Sequence, residues 1–266
     1  MLVMHEMDIN LRNYLQQNHN KLTWKERIKI TSDIIVALYM IHSENAIHRD
    51  LHSGNILFFQ LDQSFSISDL GFCGPADKAL NSIYGNLPYI APEIIVGKGT
   101  TFKSDIYSIG MLMWEISSGQ PPFFNKNHYD LAIKIINGMR PKIVSGTPLE
   151  YKELMEQCWD ADPTKRPDIV SLNRKLRKMN RINYQNEEQQ TNNSTNINSN
   201  LQINTNYSTS FSFNNSFFSS RVYKFKNLPQ PQNATKGKIL NIIIMYNNLF
   251  YVILKCILFY YRRARR

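Results

Sequence analysis

Residues 47–56, IHRDLHSGNI, constrain the chain more strongly than any other segment. Asp50 can accept the proton of an attacking hydroxyl, and Asn55 can hold a metal ion through its amide oxygen. A second acidic group follows at Asp69, within Asp-Leu-Gly. Because phosphoryl transfer needs positioning and charge neutralisation more than covalent help, this ordered set indicates a phosphoryl-transfer site.

Further motifs follow at consistent spacing. Ala91-Pro92-Glu93 comes 20 residues after Gly71, and later matches stand at Ser104-Asp105, Trp114-Glu115, Cys158-Trp159, Asp162-Pro163 and Arg166-Pro167. The set resembles the catalytic loop, metal motif and activation-segment end of a eukaryotic protein kinase, closest to the tyrosine-kinase-like group. The resemblance covers roughly residues 2–179. Small-molecule kinases share a similar loop, but they lack the Ala-Pro-Glu segment and the Asp-Pro-x-x-Arg-Pro ending.

The resemblance implies an α+β, mostly α-helical fold: a kinase C-terminal lobe with short β hairpins at the cleft, and the composition of the chain beyond it predicts a disordered tail. Thr23 and Glu26 form a capping-box pattern that opens a helix with a buried apolar stripe. Residues 56–59 and 65–68 read as strands that bring Asn55 and Asp69 to neighbouring strand ends. Further helices are predicted at 11–17, 104–118, 128–137, 149–159 and 168–180.

Site residues follow from the resemblance position by position. Asp50 is the proposed base, and Asn55 and Asp69 are the proposed Mg²⁺ ligands, since hard oxygen donors suit that ion. Met7 and Leu57 would contact the adenine of ATP. The resemblance also pairs Glu93 with Arg166, buries Asp105 under the catalytic loop, and packs His48 and Leu70 in the core.

Arg49 is the residue that gathers a phosphorylated activation loop in the family, through charge-assisted bonds. Ser82 and Tyr84 are the candidate acceptors here, with solvated loop residues as the alternative. His52 stands where Ser/Thr kinases place a Lys that touches the γ-phosphate, and Asn86 replaces their Thr or Ser. The expected substrate is a protein Ser or Thr hydroxyl, with Tyr left open.

The upper-lobe motifs of the family are not found: the sequence has 11 glycines and no Gly-x-Gly-x-x-Gly. It begins with residues that resemble the hinge, with Met4 as gatekeeper. We expect weak ATP binding by this polypeptide as written. Two interpretations stay open, a truncated or incompletely predicted active kinase and a non-catalytic, kinase-fold binding or scaffold module.

Charge is distributed unevenly along the chain. Of 31 Lys and Arg, 10 lie in residues 221–266, which contain no Asp or Glu; residues 1–220 have 21 basic and 21 acidic residues. The net charge of +10 therefore belongs to the tail, and we predict no nucleic-acid partner. Three Cys without metal or disulfide spacing favour the reducing cytoplasm.

The C-terminal third divides into two predicted segments beyond the kinase domain, which we place at 1–180. Residues 184–238 are rich in Asn, Ser, Thr and Gln, which predicts a disordered linker. Residues 239–261 are apolar and long enough to span a bilayer, although Lys255 and several Asn lie inside. A tail anchor with a cytosolic lobe and translated non-coding sequence are both open interpretations.

Overall fold

The computed structural model describes residues 9–75, 83–124, 128–193, 219–225 and 228–234, with backbone alone at 128–129 and 182–193. Helices dominate these residues, as the sequence predicts. They are α1 (Leu11–Asn18), α2 (Trp24–Ser43), α3 (Pro92–Ile95), α4 (Phe102–Ser118), α5 (His128–Ile136), α6 (Leu149–Cys158) and α7 (Ile169–Asn193).

The capping box at the start of α2 is confirmed. Thr23 Oγ1 accepts from the backbone N–H of Glu26 at 3.3 Å, and Glu26 Oε2 accepts from the Thr23 N–H at 2.6 Å. The apolar stripe of α2 buries Ile34, Ile35 and Leu38. Burial of such side chains contributes roughly 1.5–3 kcal/mol each, so α2 is fixed against α4 and α7, on which it packs.

Helix α4 is the centre of the lobe, and most of its residues are buried. Gly110 lies in contact with the end of α6: a Cβ there would be 3.0 Å from Cys158 Cβ and 3.1 Å from the Trp159 nitrogen. A larger residue would push the two helices apart. The close approach makes α4 a rigid platform under the loops that carry the candidate site.

Three small sheets frame the cleft. Strands β1 (Ile9–Asn10), β3 (Ile56–Phe59) and β4 (Ser64–Ile67) form an antiparallel sheet in the order β1-β3-β4. Strand β2 (Ala46–Ile47) pairs with β5 (Gly74–Pro75), and β6 (Ile83–Gly85) pairs with β7 (Arg221–Tyr223), both antiparallel. The β3–β4 hairpin agrees with the predicted pair of strands.

Parts of the range 184–238, predicted as a disordered linker, are among the described residues. Helix α7 continues to Asn193, and residues 219–225 and 228–234 lie on the lobe. Tyr223, Phe225 and Leu228 pack against the hydrophobic core, which offsets the ordering entropy that the polar composition alone would not. The rest of that range, and the apolar segment 239–261, lie outside the described residues. No helix in the described ranges is long and apolar enough to cross a membrane.

Candidate active site

A single buried carboxylate holds the backbone of the catalytic loop. Asp105, from the first turn of α4, accepts the His48 N–H at 2.8 Å through Oδ2 and the Arg49 N–H at 3.0 Å through Oδ1. His42 Nε2 lies 2.9 Å from Oδ2. Arg49 has φ +73°, a left-handed conformation that side chains disfavour and that surrounding bonds must maintain. The predicted buried position of Asp105 under the loop is confirmed.

His48 is fully buried and links the loop to the strand before Asp69. Its Nδ1 accepts the Asp50 N–H at 3.3 Å, which assigns the ring proton to Nε2. Nε2–H then donates to the Ser68 carbonyl at 2.9 Å. His48 is therefore a packed side chain that links the two segments, as the sequence predicts, and it positions Asp50 relative to Asp69.

Asp50 and Asn55 are joined directly. Asn55 Nδ2 donates to the Asp50 carbonyl at 3.0 Å, and the Asn55 carbonyl accepts from the Ser68 N–H at 2.8 Å. Among the described residues, no hydrogen bond uses Asn55 Oδ1. The Asp50 side chain is buried, and its Oδ2 also has no hydrogen-bond partner there. Asn55 thus presents the oxygen that a metal would bind, and Asp50 keeps an unsatisfied carboxylate oxygen.

Asp69 lies at the neighbouring strand end, as predicted. It adopts a left-handed backbone (φ +55°, ψ +64°), is exposed, and makes no side-chain bond to the short helix Leu70–Phe72 that follows. A Cβ on Gly71 would lie 3.3 Å from Asp69 Oδ1, so the glycine leaves room for the carboxylate. The Asp69 side chain is accordingly available as a ligand.

One carboxylate and one amide oxygen fit Mg²⁺, which commonly takes one or two protein ligands together with phosphate oxygens and water. The described residues contain no group of three or more His, Cys, Asp and Glu that could hold a metal by itself. The donor set therefore fits a nucleotide-bound Mg²⁺ better than a dedicated all-protein metal site. Leu57, half-buried in β3, lies two residues after Asn55 in sequence; Met7 lies outside the described residues.

Arg49 contacts the start of the segment that follows Asp69. Its Nη1 donates to the Phe72 carbonyl at 3.2 Å and its Nη2 to the Pro75 carbonyl at 2.7 Å. Tyr84 stacks on Phe72, with ring centroids 3.8 Å apart. Burial raises the pKa of the Tyr84 phenol, and the nearby Asp50 and Asp69 carboxylates raise it further. Tyr84 therefore lies near both acids; Ser82 lies outside the described residues.

His52 is a second buried histidine with an assigned tautomer. Its Nδ1 accepts the Gly54 N–H at 3.1 Å, so Nε2 carries the proton. A Cβ on Gly54 would lie 2.9 Å from the ring, so the glycine is required for this packing. Nε2 lies 3.7 Å from Asp50 Oδ1. His52 Nε2 thus lies beside the carboxylate of the candidate base, at a distance too long for a direct hydrogen bond.

Ser220, which the sequence analysis did not single out, lies between these two groups. Its Oγ donates to Asp50 Oδ1 at 2.7 Å and lies 3.0 Å from His52 Nε2. The tautomer makes His52 the donor and Ser220 the acceptor in the second contact. The alternation of Val222 and Lys224 with Tyr223 and Phe225 is the sequence signal that could have predicted a bound strand here.

Two further residues tie the site to the rest of the lobe. The predicted Glu93–Arg166 pair is confirmed: both guanidinium nitrogens Nη1 and Nη2 lie 2.7 Å from the carboxylate oxygens, and both residues are buried.

The prediction that Leu70 packs in the core is wrong. Leu70 is 56% exposed, because the left-handed turn at Asp69 directs the following short helix away from the core.

Comparisons with known proteins agree with this geometry. A family model described as "Protein tyrosine and serine/threonine kinase" matches residues 1–176. The "Probable LIM domain-containing serine/threonine-protein kinase" of Dictyostelium discoideum is 32% identical over 172 residues, 64% of this chain and 26% of that protein.

Two other relatives are named as acting on more than one hydroxyl class. "Dual specificity protein kinase zakA" of Dictyostelium discoideum is 31% identical over 180 residues, 61% of this chain and 23% of that protein. The human "Dual serine/threonine and tyrosine protein kinase" is 35% identical over 176 residues, 63% of this chain and 18% of that protein. The chain spans about a quarter or less of the length of these relatives. The chain belongs to the protein kinase family.

Proposed function

We propose that this lobe catalyses phosphoryl transfer from Mg²⁺-bound ATP to a protein serine or threonine hydroxyl. The observation that carries the proposal is the 2.7 Å hydrogen bond from a serine hydroxyl to the buried Asp50 carboxylate. A general base must lie within hydrogen-bond reach of the proton it removes, and Asp50 meets this condition.

The acceptor hydroxyl is oriented from two sides. It donates its proton toward Asp50 Oδ1 and accepts from His52 Nε2–H. The Tyr84 phenol is hydrogen-bonded to the same serine, so three side chains surround the acceptor hydroxyl. His52 would therefore serve to aim the hydroxyl, in place of the lysine that touches phosphate in related Ser/Thr kinases.

Asn55 and Asp69 would hold the metal. Bound Mg²⁺·ATP supplies the γ-phosphoryl group and the cation that neutralises its oxygens. Asn55 keeps its Nδ2 on the Asp50 carbonyl, so the metal ligand and the base are fixed in one loop. Leu57 and Met7 are the residues proposed to contact adenine.

The reach of the acceptor favours serine and threonine over tyrosine. Ser220 places its hydroxyl at Asp50 while the adjoining residue, Arg221, pairs with Gly85 in the β6–β7 sheet. A tyrosine hydroxyl lies a ring's length further from its backbone. A tyrosine at this position would need the strand to move away from β6, losing the backbone bonds that hold it.

The test uses the 266-residue chain with Mg²⁺, radiolabelled ATP and two peptides that differ only by Ser or Tyr at one position. We expect label on the Ser peptide. Asp69→Asn should lower the rate by about 100-fold or more, since a bound metal stabilises the transition state by several kcal/mol. Asp62→Asn, in the exposed β3–β4 turn, is the matched control.

Transfer that is unchanged by Asp69→Asn, or transfer to the Tyr peptide alone, would contradict the proposal.

A second candidate function is a binding module that binds peptide strands without phosphoryl transfer. The observation that favours it is the pairing of residues 221–223 with β6, together with His52 and Asn86 at the positions where related Ser/Thr kinases place a Lys and a Thr or Ser. Saturable binding of the Ser peptide with no transfer to either peptide would select this second candidate.

A further inference from the structure

The chain places one of its own strands beside the candidate active site. Strand β7 runs antiparallel to β6, with Ile83 opposite Tyr223, Tyr84 opposite Val222 and Gly85 opposite Arg221. Ser220 comes immediately before this strand and reaches Asp50. The backbone pairing of β7 with β6 therefore fixes the position of Ser220. Such pairing does not require a particular side chain at most positions of the strand.

Alternate side chains of the strand have different surroundings. Val222 is 57% exposed, whereas Tyr223 and Phe225 pack against the hydrophobic core with their rings stacked, 5.7 Å between centroids and 8° between planes. This is the period-two pattern of a strand with one face on the protein. Tyr223 and Phe225 are the anchors that keep Ser220 in place.

A second anchor lies further along the chain. The Gln232 N–H donates to the Ile136 carbonyl at 2.9 Å, at the end of α5. Asn233 accepts the Ala161 N–H through Oδ1 and donates from Nδ2 to Asp160 Oδ1, each at 2.8 Å. Gly138 has φ +89°, and a Cβ there would collide with the Ala234 nitrogen. Residues 232–234 are therefore also bound to the surface of the lobe.

We propose that residues 219–225 act as an internal substrate strand, with Ser220 as a phosphoacceptor of the same lobe. This rests on the proposed function. Ser220 Oγ attacks the γ-phosphorus of ATP, the new O–P bond forms, and the bond from that phosphorus to the β–γ bridging oxygen breaks. ADP leaves with that electron pair, and the hydroxyl proton passes to Asp50.

Phosphorylation would then release the strand. The Ser220 oxygen lies 2.7 Å from Asp50 Oδ1, and a phosphoserine carries about −1.5 to −2 charge at neutral pH. That charge would face a buried carboxylate. The unphosphorylated strand therefore occupies the edge of β6 and the space beside Asp50, and the phosphorylated strand leaves both open to other proteins.

Docking is tested without activity, by hydrogen exchange of the 266-residue chain over residues 83–86 and 221–223. Tyr223→Ser removes an anchor, and Val222→Ser changes the adjacent exposed side chain as the matched control. We expect exchange at least 10-fold faster in Tyr223→Ser and in the phosphomimetic Ser220→Asp, with Val222→Ser near wild type. Exchange in Tyr223→Ser equal to wild type would overturn the docked strand.

The acceptor is tested by mass-spectrometric site mapping after incubation with Mg²⁺ and ATP. Phosphate on Ser220, at a first-order rate unchanged by 100-fold dilution, is the expected result. Transfer to an added Ser peptide but never to Ser220 would overturn this inference and leave the proposed function standing. A protected strand with no transfer to any acceptor would overturn the proposed function and the acceptor role, while the docked strand would stand.

Discussion

The buried Glu93–Arg166 pair gives the most quantitative prediction for stability. Arg166 Nη1 and Nη2 each lie 2.7 Å from a Glu93 oxygen, and Arg166 also donates to the Asp160 and Lys103 carbonyls at 2.8 Å. Arg166→Met would leave a carboxylate with 6% side-chain exposure without its cation. Removing one partner of a buried pair costs roughly 3–5 kcal/mol, a large part of the 5–15 kcal/mol typical of a domain.

Urea denaturation followed by circular dichroism measures this loss. With a slope of roughly 2 kcal/mol/M, the midpoint should fall by about 1.5–2.5 M. Lys29→Met is the control, because it breaks a partly exposed pair with Asp33 that contributes at most about 1 kcal/mol, together with one bond to the Gln63 carbonyl. The double variant Glu93→Gln with Arg166→Met should be more stable than Arg166→Met alone, since no buried charge remains. A loss in Arg166→Met no larger than in Lys29→Met would refute the reasoning.

Three further predictions concern the loop and the core. Asp105→Asn offers one acceptor oxygen to two backbone N–H groups, so we expect a loss of about 1–3 kcal/mol in urea and a slower phosphoryl transfer. Gly54→Ala would displace the His52 ring, lowering transfer to Ser peptides while circular dichroism stays unchanged. Burial raises the pKa of Cys158 from 9.0 to about 12. The contribution of the protonated thiol to the free energy of unfolding is therefore complete below pH 9 and is lost between pH 9 and 12. Over that range the free energy of unfolding should fall by about 1.4 kcal/mol per pH unit for this thiol, and Cys158→Ala should reduce that slope.

Local sequence signals predict most helices and strands of the lobe, because each of these elements has a recognisable pattern within its own residues. The Thr23 capping box depends on contacts within one helix, and the apolar stripe of α2 is visible as a helical period in the sequence although it packs on α4 and α7; both are confirmed. Asp105 and the Glu93–Arg166 pair were predicted through the family resemblance. Their partners are distant in sequence, so spacing alone would not have paired them.

The position of Ser220 could not be predicted from composition. Asn, Ser and Thr around it indicate disorder, and the decisive contacts join residues 168 and 170 positions apart. Only the short alternation of Val222 and Lys224 with Tyr223 and Phe225 indicates a strand. That alternation does not predict β6 as its partner. The exposure of Leu70 was missed for a related reason, since it follows from the left-handed backbone at Asp69.

The most direct test of the account is the single-turnover rate of phosphoryl transfer in Asp50→Asn. The amide oxygen of an asparagine can still accept the Ser220 hydrogen bond, so hydrogen exchange over residues 83–86 should stay as slow as in the wild type. The asparagine cannot take the proton, and a general base contributes about 10²–10⁴-fold. We predict a rate at least 100-fold below the wild type, with Asp33→Asn, a surface control, unchanged. Equal rates in Asp50→Asn and the wild type would contradict the account.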